Sequence, residues 1–178
     1  MPLLRFLFLY TEEAAEIFGF KEGDARIVYK EKINTPVVLF FEGDRLDLFL
    51  SKIITSTFSE EMQKRAKQIH EFDKNLIIKV ADVHDILIMK AVTGRSKDND
   101  DIIEIIKNET INWNLIIGEA KSQIKLGNIR AILDIGTTLE KLKNENKATI
   151  PDFIFDSLWN LMKEQIEEKK KIIRKGKN

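Results

Sequence analysis

Asp82-Val83-His84-Asp85-Ile86-Leu87-Ile88-Met89-Lys90-Ala91-Val92-Thr93-Gly94-Arg95-Ser96-Lys97-Asp98-Asn99-Asp100-Asp101-Ile102 is where the chain changes character. Asp82 suits a helix N-cap, and the apolar residues behind it predict a helix to about Thr93, stopped by Gly94. Asp98-Asn99-Asp100-Asp101 then puts acids in the first turn of a second helix, where they complement its dipole. Lys90 falls four residues after Ile86, on or beside the apolar stripe, so its stem is buried and its amine reaches the edge of the core. Asp98 and Asp101 share one helix face. Two cations, Lys90 and Arg95, and two carboxylates therefore meet at one helix–helix corner. From the residues alone, that corner is either a cap, a turn and a satisfied ion-pair cluster, or a site.

Before the corner the signals are mixed. Leu3–Tyr10 is a strand candidate, followed by a short helix through Phe18. Ala25–Lys30, Pro36–Phe41 and Arg45–Ile53 read as strands rich in Val, Ile, Leu and aromatic residues. In the last, Leu46, Leu48 and Leu50 alternate with Asp47, Phe49 and Ser51. Ser59 caps a helix bearing Phe58, Met62, Ala66 and Ile69, and Asn75–Val80 is a final strand. After the corner everything reads as helix. Trp113, Ile116, Ile117, Ala120 and Ile124 make one apolar face, ended by Gly127. Asn128 caps a helix with Ile129, Ile132, Leu133, Gly136 and Leu139. The last helix starts at Pro151 and carries Phe155, Leu158, Leu161, Met162 and Ile166. The predicted class is α/β or α+β: a small mixed sheet with flanking helices over 1–81, then a helical part over 82–178 sharing its core.

With 178 residues, 43% of them apolar and 33% charged, the chain is of globular type. It has no cysteine, which excludes disulfides and thiolate zinc sites and fits a reducing cytoplasm. Abundant Lys, Glu and Ile give it a thermophile-like composition. The apolar start is interrupted by Arg5 and followed by Glu12 and Glu13, unlike a signal peptide. No stretch approaches the roughly 20 apolar residues that span a bilayer, so no membrane partner is expected. The net charge is zero, yet residues 169–178 hold six bases and no acids, leaving the body acidic. That tail is a solvated helix end, or a contact for RNA or an acidic partner. His70 and His84 are isolated from any second histidine at ligand spacing. Trp113 and Trp159 lie on apolar helical faces as core or interface anchors.

Lys90 to Asp101 resembles the K-x-x-x-G-R-x-K-D-x-x-D stretch of minimal nucleotidyltransferase-fold proteins, including toxin-type members of the AbiEii-like group. Arg45-Leu46-Asp47-Leu48-Phe49 resembles the strand carrying that fold's third carboxylate, and the intervening helix and strand fall in the expected order. The likeness covers roughly residues 1 to 107. It implies Asp47 as a catalytic acid and Mg2+ ligand, Lys90 against a nucleoside triphosphate, and Asp98 or Asp101 fixing that lysine or the acceptor. Arg95 and Lys97 are implied as substrate-binding residues. The family's Gly-Ser loop and Asp-x-Asp pair do not occur before Asp47. The matching strand, Leu3–Tyr10, has Leu4, Arg5 and Phe6 where acids belong. The expectation is a truncated nucleotidyltransferase-like part, deficient in catalysis, with a nucleotide, an RNA or a protein acceptor as partners and a link to toxin–antitoxin or tRNA-modifying systems. The alternative is a non-enzymatic interaction module whose helical half makes a homodimer or binds a partner, with an exposed sheet edge that pairing in a dimer would cover.

Overall fold

The computed structural model describes residues 37–41, 44–49, 51–72 and 76–175. The strands expected near residues 3–10 and 25–30, and the short helix between them, lie outside the described residues. Two compact units, Met1–Asp82 and Val83–Asn178, make up the chain. The class is α+β with a helical second half, as the sequence predicts.

In the first unit the described strands form three antiparallel pairs. β1 (Val37–Phe41) pairs with β2 (Asp44–Leu48), with Val38 opposite Asp47. β3 (Lys52–Ile53) pairs with β4 (Ser56–Thr57). The strand expected to run unbroken from Arg45 to Ile53 is thus interrupted. Ile54 turns the chain at φ 56°, a costly conformation for a β-branched residue, and the Phe58 amide donates to the Ser51 carbonyl at 2.7 Å to close the hairpin. Ile53, Ser56, Phe58 and Ser59 are buried behind this turn.

α1 spans Glu60–Arg65. Ser59 caps it as predicted, its hydroxyl oxygen accepting from the Met62 amide at 3.1 Å. Met62 and Ala66 pack inward, but the helix does not reach Ile69. Ile69 belongs instead to β5 (Gln68–Phe72), which pairs with β6 (Leu76–Val80). It sits opposite Lys79 and is 53% exposed. Helical spacing through residue 69 was coincidental: the Gln68–Phe72 run finds more backbone hydrogen bonds in a ladder than a frayed helix end provides.

The second unit is a five-helix bundle: α2 (Val83–Ala91), α3 (Ser96–Asn108), α4 (Trp113–Lys125), α5 (Ile129–Asn144) and α6 (Asp152–Lys175). α5 is its hub and packs on each of the other four. It can do so because Ala131, Ile132, Ile135, Thr138, Leu139 and Leu142 fill one broad stripe, all buried. Leu87, Ile88, Met89 and Ala91 come from α2, Ile102 from α3, Ile116 and Ala120 from α4, and Ile154 and Leu158 from α6. Leu133, expected on the apolar stripe of α5, is 40% exposed. Pro151 precedes α6 rather than opening it, its carbonyl accepting from the Ile154 amide. Thr138 Oγ1 donates to the Ala91 carbonyl at 2.8 Å, satisfying an acceptor left open where α2 ends. No helix among the described residues is long and apolar enough to cross a membrane.

Candidate functional site

The corner between α2 and α3 is built by one glycine. α2 loses its ladder at Ala91, and Gly94 follows at φ 66°. A Cβ there would meet nothing within 4 Å, so the backbone angle and not crowding calls for glycine. Arg95 is the N-cap residue of α3, and its carbonyl accepts from the Asp98 and Asn99 amides. The turn is tight enough to lay the first turn of α3 against the last turn of α2.

Lys90 is 6% exposed and Asp98 is 3% exposed. The Lys90 amine donates to Asp101 Oδ2 at 2.5 Å and reaches Asp98 Oδ1 at 3.4 Å. Arg95 Nε donates to Asp98 Oδ2 at 2.6 Å. Thr93 Oγ1 lies 2.5 Å from the same oxygen and 2.9 Å from the Lys90 carbonyl. Its single proton favours the charged acceptor. The Arg95 amide in turn donates to Thr93 Oγ1 at 3.2 Å. Burial pushes the Asp98 carboxyl up, but hydrogen bonds from Arg95 and Thr93 and the charges of Arg95 and Lys90 outweigh it, so its pKa lies below the ordinary carboxylate value.

The structure therefore brings together four of the residues singled out by sequence: Lys90, Arg95, Asp98 and Asp101. Lys97 does not join them and is exposed. Asp47 lies in β2 of the first unit, half-buried. Sequence reasoning missed Thr93, although a threonine directly ahead of a helix-stopping glycine is well placed to reach the next helix. It also missed Asn99, whose Oδ1 is buried with no hydrogen-bond partner.

No protein-family model matches the chain, and no curated protein matches it. The chemistry of the corner must stand on its own geometry.

Magnesium takes six oxygens and leans on several carboxylates or on substrate phosphates. Among the described residues no three of His, Cys, Asp or Glu gather where they could hold a metal, and both carboxylates of the corner already accept from the Lys90 amine. The described residues do not fit a magnesium site. For a triphosphate, the corner offers no surplus of positive charge: Lys90 and Arg95 are matched by Asp98 and Asp101. Arg95 alone extends into solvent, its side chain 64% exposed.

A second polar cluster lies inside the bundle. Glu119 and Gln123 are buried on α4, and Gln123 Nε2 donates to Glu119 Oε1 at 2.9 Å. Asn128 Nδ2 donates to Gln123 Oε1, also at 2.9 Å. The apolar face expected on α4 thus has a polar seam, and Asn128 spends its side chain on Gln123 rather than on capping α5. His84 is buried at the start of α2, and its Nε2 accepts from the Asn112 amide at 2.8 Å. The bond ties the α3–α4 connection to α2.

Proposed function

We propose that the chain is a nucleotidyltransferase-like protein deficient in nucleotide transfer, acting by binding and not by catalysis. The observation that carries this is the state of Lys90. Its amine is nearly excluded from solvent and held between two carboxylates. To meet a triphosphate it would have to leave Asp98 and Asp101, setting one buried and one part-buried carboxylate against a highly charged anion. What supports the family likeness is that Lys90, Gly94, Arg95, Asp98 and Asp101, the spaced residues of the resembling stretch, shape a single corner.

In this protein the corner works as a joint. It fixes the angle between α2 and α3, and through Ile102 and Leu87 it seats both helices in the core. Incubating the purified chain with magnesium and nucleoside triphosphates labelled at the α-phosphate, with RNA and protein acceptors, tests the deficiency. We expect no label transferred above a protein-free blank. Transfer that disappears in Lys90→Ala or Asp47→Ala would restore the enzyme and overturn the proposal.

A further inference from the structure

α6 carries two apolar stripes. Ile154, Leu158 and Leu161 turn into the bundle, the first two fully buried. Beside them run Phe155, Trp159, Met162 and Ile166, at spacings of four, three and four. At 100° per residue these four fall within a strip about 60° wide, the seam of a two-helix coiled coil. Phe155 and Met162, on the bundle side of the strip, are half-buried. Trp159 is 56% and Ile166 48% exposed. Large apolar side chains at heptad spacing on one helix face mark an interaction surface more than scattered ones do.

α6 also outlasts its packing. Beyond Met162 none of its described side chains is buried, yet the helix runs on to Lys175. A helical extension with no buried side chain among its described residues is marginal in water. A partner helix along the seam supplies the missing support.

The order of charges says which partner. Residues 152–168 carry five acids and one base, whereas 169–175 carry five bases and no acid. Two such helices laid parallel would press basic run on basic run and acidic run on acidic run. Laid antiparallel, each basic run meets the other helix's acidic half. We propose that a second copy of this chain docks on this face, α6 against α6 antiparallel, about a two-fold axis passing close to Met162 and Lys163. Trp159 then packs against Ile166 of the partner subunit, and Asp156 comes opposite the start of the partner's basic run.

Light scattering on the full chain between about 10 and 100 μM reads the mass, and we expect a dimer. Trp159→Asp and Ile166→Asp should each weaken it at least about tenfold with unchanged helical circular dichroism, since both sites are solvent-facing in the single chain. The absence of native cysteine allows a second, independent arm. Trp159→Cys mixed with Ile166→Cys should form the mixed disulfide dimer on oxidation, in preference to either self-linked dimer. A wild-type monomer at 100 μM, a dimer indifferent to both aspartates, or self-linked products dominating the mixture would each overturn the proposal.

Discussion

Replacing Lys90 by methionine keeps the length and the apolar stem and removes only the amine. In the native corner that amine sits 2.5 Å from Asp101 and 3.4 Å from Asp98, with Lys90 and Asp98 both buried. Breaking a buried ion pair from one side costs about 3–5 kcal/mol, because the partner charge is left behind. Two features place this case at the low end. The Asp101 side chain is 29% exposed and can rehydrate, and Asp98 keeps Arg95 and Thr93. A loss of about 3 kcal/mol is therefore expected for Lys90→Met, read by urea unfolding as a midpoint lowered by roughly 1.5 M at an m-value near 2 kcal/mol/M. Adding Asp101→Leu removes the stranded carboxylate and should recover a large part of the loss, giving a coupling energy of about 1.5–3 kcal/mol in the double-mutant cycle. A Lys90→Met chain within about 0.5 kcal/mol of wild type, or one more stable than wild type, would refute the reasoning. Strained functional groups often give that second result when they are removed.

The Asp98 carboxyl has its pKa lowered on folding, so its contribution is complete above the unfolded value of about 4 and is lost as pH falls from there through the folded value; Asp98→Asn should unfold more easily at neutral pH, with the gap to wild type narrowing below about pH 4. Gly94→Ala forces a side chain onto φ 66° with no steric neighbour involved, and should cost about 1–2 kcal/mol from backbone conformation alone; Gly94→Asn, a residue that tolerates this region, should cost less in the same urea series. Ser59→Ala removes the hydroxyl that accepts from Met62 and should destabilise the first unit by about 1 kcal/mol, visible as faster amide exchange at Met62 and its neighbours.

Much of the second unit is legible in the sequence. Gly94 and Gly127 both take positive φ, and each ends a helix where the pattern says it should. The corner is legible because a lysine at the end of one helix and carboxylates three residues apart at the start of the next have few other places to go once a glycine folds the two together. Tertiary demands hid the rest. Glu119 and Gln123 give no sign in the sequence of the buried polar seam they form with Asn128. Trp159 reads as a core anchor on an apolar stripe, but α5 has room only for the adjacent stripe of Ile154 and Leu158, and the indole is left outside with Lys163 Nζ 5.3 Å from its centre. In the first unit, the run from Arg45 to Ile53 looks like one strand because alternation carries no sign that one ladder ends at Leu48 and another begins at Lys52. Helical spacing across Phe58, Met62 and Ala66 likewise says nothing of where the helix yields to the β5–β6 ladder.

The Lys90 amine belongs either to Asp98 and Asp101 or to a phosphate. Calorimetric titration of magnesium–nucleoside triphosphate into the intact chain, alongside Lys90→Gln, measures this directly. With the amine committed to the corner, wild type should bind no tighter than about 1 mM, and Lys90→Gln should leave that weak signal unchanged while lowering stability. Micromolar binding by wild type that vanishes in a folded Lys90→Gln chain would contradict it.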